Sequence, residues 1–484
     1  MTRVGDMDAE EFRREAHRIV DWIADYLAHP EKFRVLSSAR PGDIRDALPA
    51  SAPEHGEPFD RVFADFERTI VPGLTHWNHP GFFAYFATSA SGPGILAETL
   101  AAGLNVQAML WRTSPAATEL EDVTLGWLAR LIGLPPAFGG VIYDTASIST
   151  LHALACARTV SVPHIRSRGL SGTPGLRVYF SEDAHSSVEK AIVLLGIGLD
   201  GACRIPVDAR RAMRVEALER AIEEDLSAGR TPAAVVATAG TTSTTAVDPV
   251  APIADVCRRH DLWLHVDAAY AGAAAMLPEC RQWFDGMERA DSIVINPHKW
   301  LFTPFDLSVL FCRRMDVLHE TFSLVPEYLR TPESPRVRNL MDTGIQLGRR
   351  FRALKLWMIL RYFGADGIRA RLAEHMRLAR LFASWVDADQ DFERLADVPF
   401  SVVCFRCAPA RVPEQALDAL NEQLLDRVNA SGEVFLSHTK LDGKLALRLA
   451  VCQIRTTESH VAQAWELLSR EAAIVLGSAS PERS

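Results

Sequence analysis

The sequence predicts an α/β protein built on a mainly parallel sheet. Short apolar runs rich in β-branched residues alternate with amphipathic segments through the middle of the chain, which is the pattern of strands connected by helices. The chain has 484 residues, 48% of them hydrophobic, which is enough to bury a large core. Strands are predicted at residues 176–180, 233–238, 262–266, 292–295 and 307–312, and helices at 186–195 and 251–259.

An amphipathic helix is predicted near the start of the chain, over residues 7–29. Its apolar residues recur at the spacing of one helical face. They are Phe12, Ala16, Ile19, Val20, Ile23 and Leu27. A proline-rich stretch follows, and a helix in this position is typical of a segment that packs on another surface, such as a second subunit. Residues 1–88 are therefore predicted to form an N-terminal helical dimerisation segment.

Near residue 365 the pattern changes to one long helix, predicted over residues 365–387. Strand, helix, strand and helix follow, at residues 400–407, 414–429, 445–451 and 459–476. The chain is thus predicted to have a large domain over residues 89–364, which carries the mainly parallel sheet, and a small C-terminal α/β domain over residues 365–484.

Charge and composition disfavour several classes of partner. Lys plus Arg is 52 and Asp plus Glu is 61, which gives a formal net charge of −9, and no concentrated basic block indicates nucleic-acid binding. The N-terminus lacks the apolar core of a signal peptide, and no apolar run approaches the length that spans a bilayer. We therefore expect a cytoplasmic protein with no nucleic-acid or membrane partner.

The eight cysteines are scattered along the chain, which is not typical of a disulfide framework. Cys404 and Cys407 form a C-x-x-C pattern, but no second pair accompanies it. The pattern lies inside the predicted strand 400–407, so buried strand thiols explain it better than a metal or redox site. We expect no metal.

The stretch Asp-Ser-Ile-Val-Ile-Asn-Pro-His-Lys-Trp-Leu, residues 291–301, places a lysine just past a predicted strand. Open α/β sheets place their chemistry at such strand ends. Lys299 lies between His298 and Trp300, and partial desolvation there would lower the amine pKa and leave more of it as a nucleophile. A lysine that forms an imine suggests pyridoxal phosphate (PLP), which is held as a Schiff base with lysine.

This cofactor needs a carboxylate beside its ring nitrogen and a site for its phosphate. Asp267 follows an apolar predicted strand, where a carboxylate is costly unless a cation such as a pyridinium pairs with it. Thr145, Ala146 and Ser147 lead into a predicted helix at residues 151–158, whose first N–H groups suit a phosphate. An aspartate that starts a turn and ordinary helix capping are the alternatives.

Two further motifs meet the needs of the cofactor ring. His185 follows a predicted strand, and a neutral imidazole can stack on a flat ring and transfer protons. Thr241 and Thr242 follow another strand and offer hydroxyl groups to the ring edge or to carboxylates. A structural histidine and a polar turn are the alternatives. All four motifs lie at strand ends, in one order before Lys299, so together they indicate PLP much more strongly than each does alone.

The motifs Asn-Pro-His-Lys-Trp at residues 296–300 and His-Val-Asp-Ala-Ala-Tyr-Ala-Gly at residues 265–272 resemble those of PLP-dependent group II amino acid decarboxylases of the aromatic-L-amino-acid type. Further matching segments cover almost the whole chain, at residues 12–14, 72–77, 82–86, 114–121, 184–187, 240–242 and 347–352. The resemblance implies fold type I of the PLP-dependent enzymes, the aspartate-aminotransferase-like fold. It also implies a homodimer with its active sites at the interface.

The resemblance implies that Lys299 forms the imine, that Asp267 contacts the pyridinium and that His185 stacks on the ring. The residues implied to bind the cofactor are Thr145, Ala146, Ser147, His185, Thr242, Asp267, Ala269, Asn296, His298 and Lys299. The residues implied to contact the substrate are Trp77, Tyr85, Phe86, Thr88, Met109 and Arg349. Arg349 would lie near the substrate carboxylate or would support the residues around the cofactor, and arginine suits a planar carboxylate.

Tyr328 is the residue that the resemblance connects with the outcome of the reaction. It lies in a segment rich in proline and charge, residues 323–335, which is typical of a mobile lid. In similar decarboxylases a tyrosine here protonates the carbon that has lost carbon dioxide, whereas phenylalanine accompanies oxidative deamination to an aldehyde. A tyrosine that packs a loop is the alternative. The expected catalytic residues are Lys299, Tyr328, His185 and Asp267.

The implied reaction is decarboxylation of an aromatic L-amino acid (tryptophan, tyrosine, phenylalanine or a hydroxylated form) to the arylalkylamine and carbon dioxide. Alternatives are decarboxylation of another amino acid, an aromatic aldehyde synthase, and a cofactor-free binding protein, which retention of Lys299 disfavours. Three residues depart from the pattern of relatives: Asp144 replaces a glycine, Ile148 replaces a polar residue, and Met109 replaces an aromatic residue of animal relatives. These departures affect the phosphate turn and the substrate pocket.

Overall fold

A computed structural model describes residues 5–324, 332–333 and 336–478. The larger of two sheets consists of β1 (Gly139–Tyr143), β2 (Leu176–Ser181), β3 (Ala202–Ile205), β4 (Thr231–Thr238), β5 (Trp263–Asp267), β6 (Ser292–Ile295) and β7 (Ser308–Cys312). Their order across the sheet is β1-β7-β6-β5-β4-β2-β3. The five adjacent strands β6, β5, β4, β2 and β3 are parallel to one another, whereas β7 is antiparallel to β1 and β6. The predicted mainly parallel sheet is confirmed.

Helices connect these strands and cover both faces of the sheet. In chain order they are α1 (Ala9–Ala28), α2 (Asp43–Ala47), α3 (Phe59–Asp65), α4 (Gly92–Leu104), α5 (Pro115–Leu131), α6 (Ala146–Ser161), α7 (Ile165–Arg168), α8 (Ser187–Leu194), α9 (Val215–Ser227), α10 (Val250–His260), α11 (Pro297–Trp300), α12 (Met315–Phe322), α13 (Ala353–Ala388), α14 (Glu414–Ser431) and α15 (Glu458–Ser478). Of the helices in the described part of the chain, none combines the length and the apolar character needed to cross a membrane.

Alternate residues of the central strand β4 belong to different hydrophobic clusters. Ala234 and Val236 pack in the cluster that includes residues of α6 and α8. Val235 and Ala237 pack in the cluster that includes residues of α9 and α10. Because successive strand residues point to opposite faces, the sheet is buried on both sides. This burial explains why the strands read as nearly continuous apolar runs.

The strand directions bring the ends of four strands to one edge of the sheet. Strands β1 and β6 are both antiparallel to β7, so they are parallel to each other. The carboxyl ends of β1, β4, β5 and β6 are Tyr143, Thr238, Asp267 and Ile295. In open α/β sheets, ligands bind outside the carboxyl ends of parallel strands. The fold therefore brings the predicted site motifs together at this edge.

The first helix begins where the sequence predicts it. Asp8 is the N-cap residue of α1, and its carboxylate accepts hydrogen bonds from the backbone N–H groups of Glu10 and Glu11. Such a cap stabilises a helix by satisfying donors that have no partner within it. The predicted helix over residues 7–29 is confirmed with slightly shorter bounds, Ala9–Ala28.

The C-terminal part contains a second sheet, made of β8 (Phe392–Arg394), β9 (Val402–Cys407), β10 (Ser437–Leu441) and β11 (Lys444–Ala450). Its order is β10-β11-β9-β8, and every pair of neighbours is antiparallel. A separate hydrophobic cluster joins this sheet to α14, α15 and the second half of α13. The strands predicted at 400–407 and 445–451 are present, and β8 and β10 are additional.

The long helix α13 crosses the boundary predicted between residues 364 and 365. Gly364 has a positive φ of 64° and a ψ of 171°, so it interrupts the helix at this point. Glycine adopts such a conformation without the steric cost that other residues meet. The division into residues 1–88, 89–364 and 365–484 stays a prediction.

Candidate active site

A cavity of about 190 Å³ opens at the edge of the large sheet where the strands end. Every residue predicted to bind the cofactor lines it. The described lining residues are Phe86, Thr145, Ala146, Ser147, His185, Thr238, Gly240, Thr242, Asp267, Ala269, Tyr270, Asn296, His298 and Lys299. These residues come from widely separated parts of the sequence, so the fold, not the local sequence, assembles the site.

Lys299 lies in the short helix α11, directly after β6. Its backbone N–H donates to the carbonyl of Asn296 at 2.9 Å. Its Nζ lies 5.3 Å from the centroid of the Phe86 ring. Burial is the main reason why the pKa of Lys299 is lowered, and the negative charge of Asp267 opposes that shift. The lysine is therefore easier to deprotonate than an exposed one.

Asp267 is the last residue of β5 and is buried. Its Oδ1 accepts the backbone N–H of Ala269 at 3.1 Å. His265, two residues earlier in the strand, is fully buried, and its Nδ1 lies 2.9 Å from the Ser292 hydroxyl oxygen. Burial lowers the pKa of His265 to about 4, so this ring is neutral near pH 7. Because the His265 ring is neutral, it does not supply a positive charge to Asp267, which can pair with a cation in the cavity.

The start of α6 and two residues around α11 also line the cavity. Thr145 is the N-cap residue of α6, and Ala146 and Ser147 are its first helical residues. Asn296 and His298 face the same cavity. The His298 Nδ1 accepts the backbone N–H of Leu307 at 2.9 Å, and burial lowers the His298 pKa to about 3. Its remaining hydrogen is therefore on Nε2.

Two buried polar atoms of the cavity wall show that a polar ligand fits this site. Among the described residues, the hydroxyl of Thr238 and the side-chain oxygen of Asn296 have no hydrogen-bond partner. Unpaired buried polar atoms are costly, so they indicate a missing partner. A lysine, a buried carboxylate and a helix start lie around this one cavity. They suit three groups of PLP, which are the aldehyde that reacts with an amine, the cationic ring nitrogen and the phosphate.

His185 is exposed at the mouth of the cavity. Its Nδ1 accepts the backbone N–H of Ser187 at 3.1 Å and lies 2.9 Å from the Ser187 hydroxyl oxygen. Desolvation is the first cause that lowers the His185 pKa, and the charge of Asp267 opposes it. The neutral ring then carries its hydrogen on Nε2. Stacking on a cofactor ring stays a prediction.

The residues predicted to contact the substrate are dispersed. Phe86 lines the cavity, whereas Trp77 and Tyr85 stack on each other at 6.0 Å between centroids and are both exposed. Met109 packs with Leu110 and Met341. Thr88 is half-buried. Of these side chains, only Phe86 is among the described residues that line the cavity.

Arg349 has partners other than a substrate. Its buried guanidinium pairs with Glu121 at 2.9 Å and donates to the carbonyl of Ile142, in β1, at 2.6 Å. Glu121 in turn accepts the backbone N–H of Ile142. These partners favour its other predicted role, support of the residues around the cofactor, and a place near the substrate carboxylate stays a prediction. Arg349 contacts β1, which leads directly into the start of α6.

Sequence reasoning missed Arg448 in β11. Its guanidinium is buried, lies 4.7 Å above the Phe86 ring, and donates to the carbonyls of Ser243 and Tyr85. Its Nη2 has no hydrogen-bond partner among the described residues. An arginine inside the apolar run Leu-Ala-Leu-Arg-Leu-Ala, residues 445–450, was the available signal, because a buried cation in a strand needs a partner.

Other residues and motifs singled out in the sequence differ in what the structure describes of them. Tyr328, and most of the segment 323–335 around it, lies outside the described residues. Ile148 packs against the hydrophobic cluster on one face of the sheet, which explains an apolar residue there. Cys404 and Cys407 are free and buried in β9, as expected for strand thiols. Across the described ranges, no group of three or more His, Cys, Asp or Glu residues could hold a metal ion.

The chain is similar in sequence and in fold to proteins of one known family. The sequence profile described as pyridoxal-dependent decarboxylase conserved domain matches residues 41–408. Phenylacetaldehyde synthase of Arabidopsis thaliana is 42% identical over 480 residues, covering 97% of this chain and 97% of that protein. Tyrosine decarboxylase 2 of Narcissus pseudonarcissus is 42% identical over 480 residues, covering 97% and 95%. The structure of Oryza sativa TDC with PLP and tryptamine has a TM-score of 0.95 at 37% identity, covering 98% of this chain and 99% of that chain.

Proposed function

Because the chain belongs to the family of pyridoxal-dependent decarboxylases, we propose that it is a PLP-dependent carboxy-lyase acting on an aromatic L-amino acid. Its products are the corresponding arylalkylamine and carbon dioxide. The observation that carries this proposal is the single cavity that brings Lys299, Asp267 and His185 together. A tyrosine decarboxylase among the relatives, and a similar structure that holds tryptamine, support an aromatic substrate.

PLP is the cofactor, and when bound it supplies a cationic ring that accepts the electron pair of the bond to the departing carboxylate. Asp267 would keep the ring nitrogen protonated, because a buried carboxylate favours an adjacent cation. The start of α6, Asn296 and the Nε2–H of His298 would hold the phosphate. Lys299 would attach the cofactor and exchange with the substrate amine.

An aromatic wall keeps water from one side of Lys299. The ring of Phe86 stacks on Tyr270 at 3.7 Å between centroids, and Tyr270 stacks on Trp300 at 4.7 Å. The three rings are buried. Burial in this apolar environment lowers the pKa of Lys299, so its neutral, nucleophilic amine forms more readily than that of an exposed lysine.

His185 and Arg448 are the groups of this site suited to an anionic carboxylate. His185 has its Nδ1 engaged by Ser187, so Nε2–H is free to donate at the cavity mouth. Arg448 provides a permanent positive charge beside Phe86. Holding the carboxylate in one orientation would direct which bond of the substrate breaks. After carbon dioxide leaves, Tyr328 would return a proton to the carbon that carried the carboxylate.

An aromatic aldehyde synthase is the second candidate function, because phenylacetaldehyde synthase is as similar to this chain as tyrosine decarboxylase 2. The two reactions share the loss of carbon dioxide and differ in what happens to the carbon and the amine afterwards. The tyrosine at position 328 favours the decarboxylase, since protonation of the carbon ends the reaction at the amine.

The test is a panel of L-amino acids incubated with the purified holoenzyme, in which amine, carbon dioxide, aldehyde and hydrogen peroxide are all measured. We expect equal amounts of amine and carbon dioxide from an aromatic amino acid, and no peroxide. Lys299→Ala is the matched control and should abolish turnover. Equal amounts of aldehyde and peroxide would establish the synthase, and activity confined to acidic or basic amino acids would contradict the aromatic assignment.

We also propose that the enzyme is a homodimer and that it is cytoplasmic. Leu96, Leu100 and Leu104 are spaced four residues apart on α4, and 57%, 50% and 64% of their areas are exposed. Tyr362, on the neighbouring helix α13, is 73% exposed. A continuous apolar stripe of this kind is typical of a subunit interface. Cell fractionation with the native protein would test the proposed cytoplasmic location.

A further inference from the structure

The turn between β1 and α6 carries a carboxylate that the proposed mechanism does not use. Asp144 follows the last residue of β1 and precedes Thr145, the N-cap residue of α6. The Oδ1 atom of Asp144 accepts hydrogen bonds from the backbone N–H of Thr145 at 2.5 Å and from its hydroxyl at 3.0 Å. The Oδ2 atom accepts from the side-chain amide of Gln346 at 3.2 Å.

Among the described residues, no Lys or Arg side chain pairs with this carboxylate. Within residues 5–324, 332–333 and 336–478, no Lys or Arg nitrogen lies within 4.0 Å of it. Gln346 is neutral, and burial lowers the pKa of the neighbouring His152 to about 4, so that ring is also neutral near pH 7. The partial positive charge at the start of α6 is therefore the main favourable field that acts on Asp144.

The phosphate of PLP would need the same helix end. Thr145, Ala146 and Ser147 line the cavity, and N–H groups at a helix start are the donors that bind phosphate. A hydrogen that Thr145 donates to Asp144 is not free for a phosphate oxygen. In addition, two anions at one helix start repel each other, because both depend on the same positive end of the dipole.

We propose that Asp144 lowers the affinity of this enzyme for PLP by competing with the phosphate for Thr145 and for the start of α6. The proposal rests on the proposed function, which brings the phosphate to this turn. The weaker binding lets the enzyme exchange its cofactor readily. Asp144 acts on the phosphate end of PLP and does not contact the reacting atoms.

The experiment compares binding of PLP with binding of pyridoxal, which has the same ring and aldehyde but no phosphate. Full-length enzyme freed of cofactor is titrated with each compound, and the absorbance of the lysine-bound form is followed. Asp144→Asn removes the charge and keeps an acceptor oxygen. We expect it to bind PLP about fivefold more tightly, the size of one partly screened charge interaction, with pyridoxal affinity unchanged.

Two other variants control this comparison. Asp261→Asn removes a charge at the opposite end of β5 from Asp267 and should leave both affinities as in the wild type. Asp144→Ser retains a side-chain oxygen without charge and should repeat the effect of Asp144→Asn, which guards against misfolding of one variant. Because an anion at a helix start stabilises the helix, both Asp144 variants should unfold at slightly lower urea concentration.

The outcomes separate this inference from the proposed function. If the wild type forms the lysine-bound cofactor but the Asp144 variants bind PLP no better relative to pyridoxal, the competition is refuted and the decarboxylase assignment stands. Weaker PLP binding by both variants would show that Asp144 orients Thr145 toward the phosphate instead. Failure of the wild type to bind either compound at Lys299 would contradict the proposed function itself.

Discussion

At the scale of single residues, the polar side chains that follow apolar strands were the informative ones. Asp267, Lys299 and His185 are far apart in sequence, yet each follows a predicted strand, and the structure brings all three to one cavity. The inference works because parallel strands end at a common edge. It also works because a carboxylate or an amine in apolar surroundings is costly without a functional partner.

Asp267→Asn should weaken retention of PLP at least about tenfold, because an amide cannot stabilise a charged ring nitrogen. A change of one unit in the pKa of that nitrogen corresponds to a tenfold effect. The measurement is the cofactor content after dialysis, read from absorbance. Asp285→Asn, an exposed position, is the matched control and should retain cofactor as the wild type does. Normal occupancy in Asp267→Asn would contradict the proposed pairing.

Tyr328→Phe should shift the products from amine toward aldehyde, ammonia and hydrogen peroxide. The reason is that phenylalanine has the same ring without the hydroxyl group that would return the proton to the carbon. Product ratios by chromatography, together with peroxide release, give the answer. An unaltered yield of amine would assign the proton to another group, for which His185 is the candidate in the cavity.

Roles of arginines were harder to infer from sequence than roles of carboxylates. Arg349 appeared suited to a substrate carboxylate, but it is held by Glu121, which is distant in sequence. Arg448 was overlooked because its neighbours read as an ordinary strand. An arginine side chain is long, and its partner is chosen by tertiary contacts that local pattern does not contain.

At the scale of elements, most strands with both faces buried were predicted, whereas β1 and the more exposed strands were not. Strand β10, Ser437–Leu441, has exposed polar residues such as His438 and Lys440, and β8 has only three residues. Neither has the apolar run that marks a central strand. Strand β1 begins with Gly139 and Gly140, which disfavour a strand by local propensity. Its pairing with β7 stabilises it instead.

A buried lysine on α13 holds the segment at residues 304–306, shortly after Lys299. The Nζ of Lys355 pairs with Glu98 at 2.8 Å and donates to the carbonyls of Pro304 and Asp306. The next residue, Leu307, donates its N–H to His298 in the cavity. Removing Lys355 would leave the carbonyls of Pro304 and Asp306 without this donor. It would also remove one of two cations that contact Glu98, since Arg350 pairs with the same carboxylate.

Lys355→Met should therefore lower the free energy of unfolding by about 3 kcal/mol. It should also weaken PLP binding, because the backbone that orients His298 is no longer held. Urea denaturation and cofactor titration measure the two effects. Lys440→Met, at an exposed position of β10, is the control and should change stability by less than about 0.5 kcal/mol. Equal stability of the two variants would show that Lys355 does not fix this segment.

At the scale of the whole molecule, the sequence predicted the large sheet and the C-terminal unit, and family resemblance supplied the second subunit. A single chain leaves Trp77 and Tyr85 exposed, although both belong to the predicted substrate set. It also leaves the leucines of α4 uncovered. Each observation would be explained if a second copy covered the residues concerned, since a homodimer buries the same surface on each subunit.

Leu100→Arg tests whether α4 forms that interface. A charge at the centre of an apolar contact is costly, so the variant should dissociate at concentrations where the wild type is dimeric. Leu226→Arg on α9 is the matched control, because Leu226 and Leu100 are both 50% exposed, and it should remain dimeric. Light scattering after size-exclusion chromatography measures both masses. Because the active sites are proposed to lie at the interface, Leu100→Arg should lose activity in parallel with the dimer. A dimeric and fully active Leu100→Arg enzyme would show that the subunits meet elsewhere.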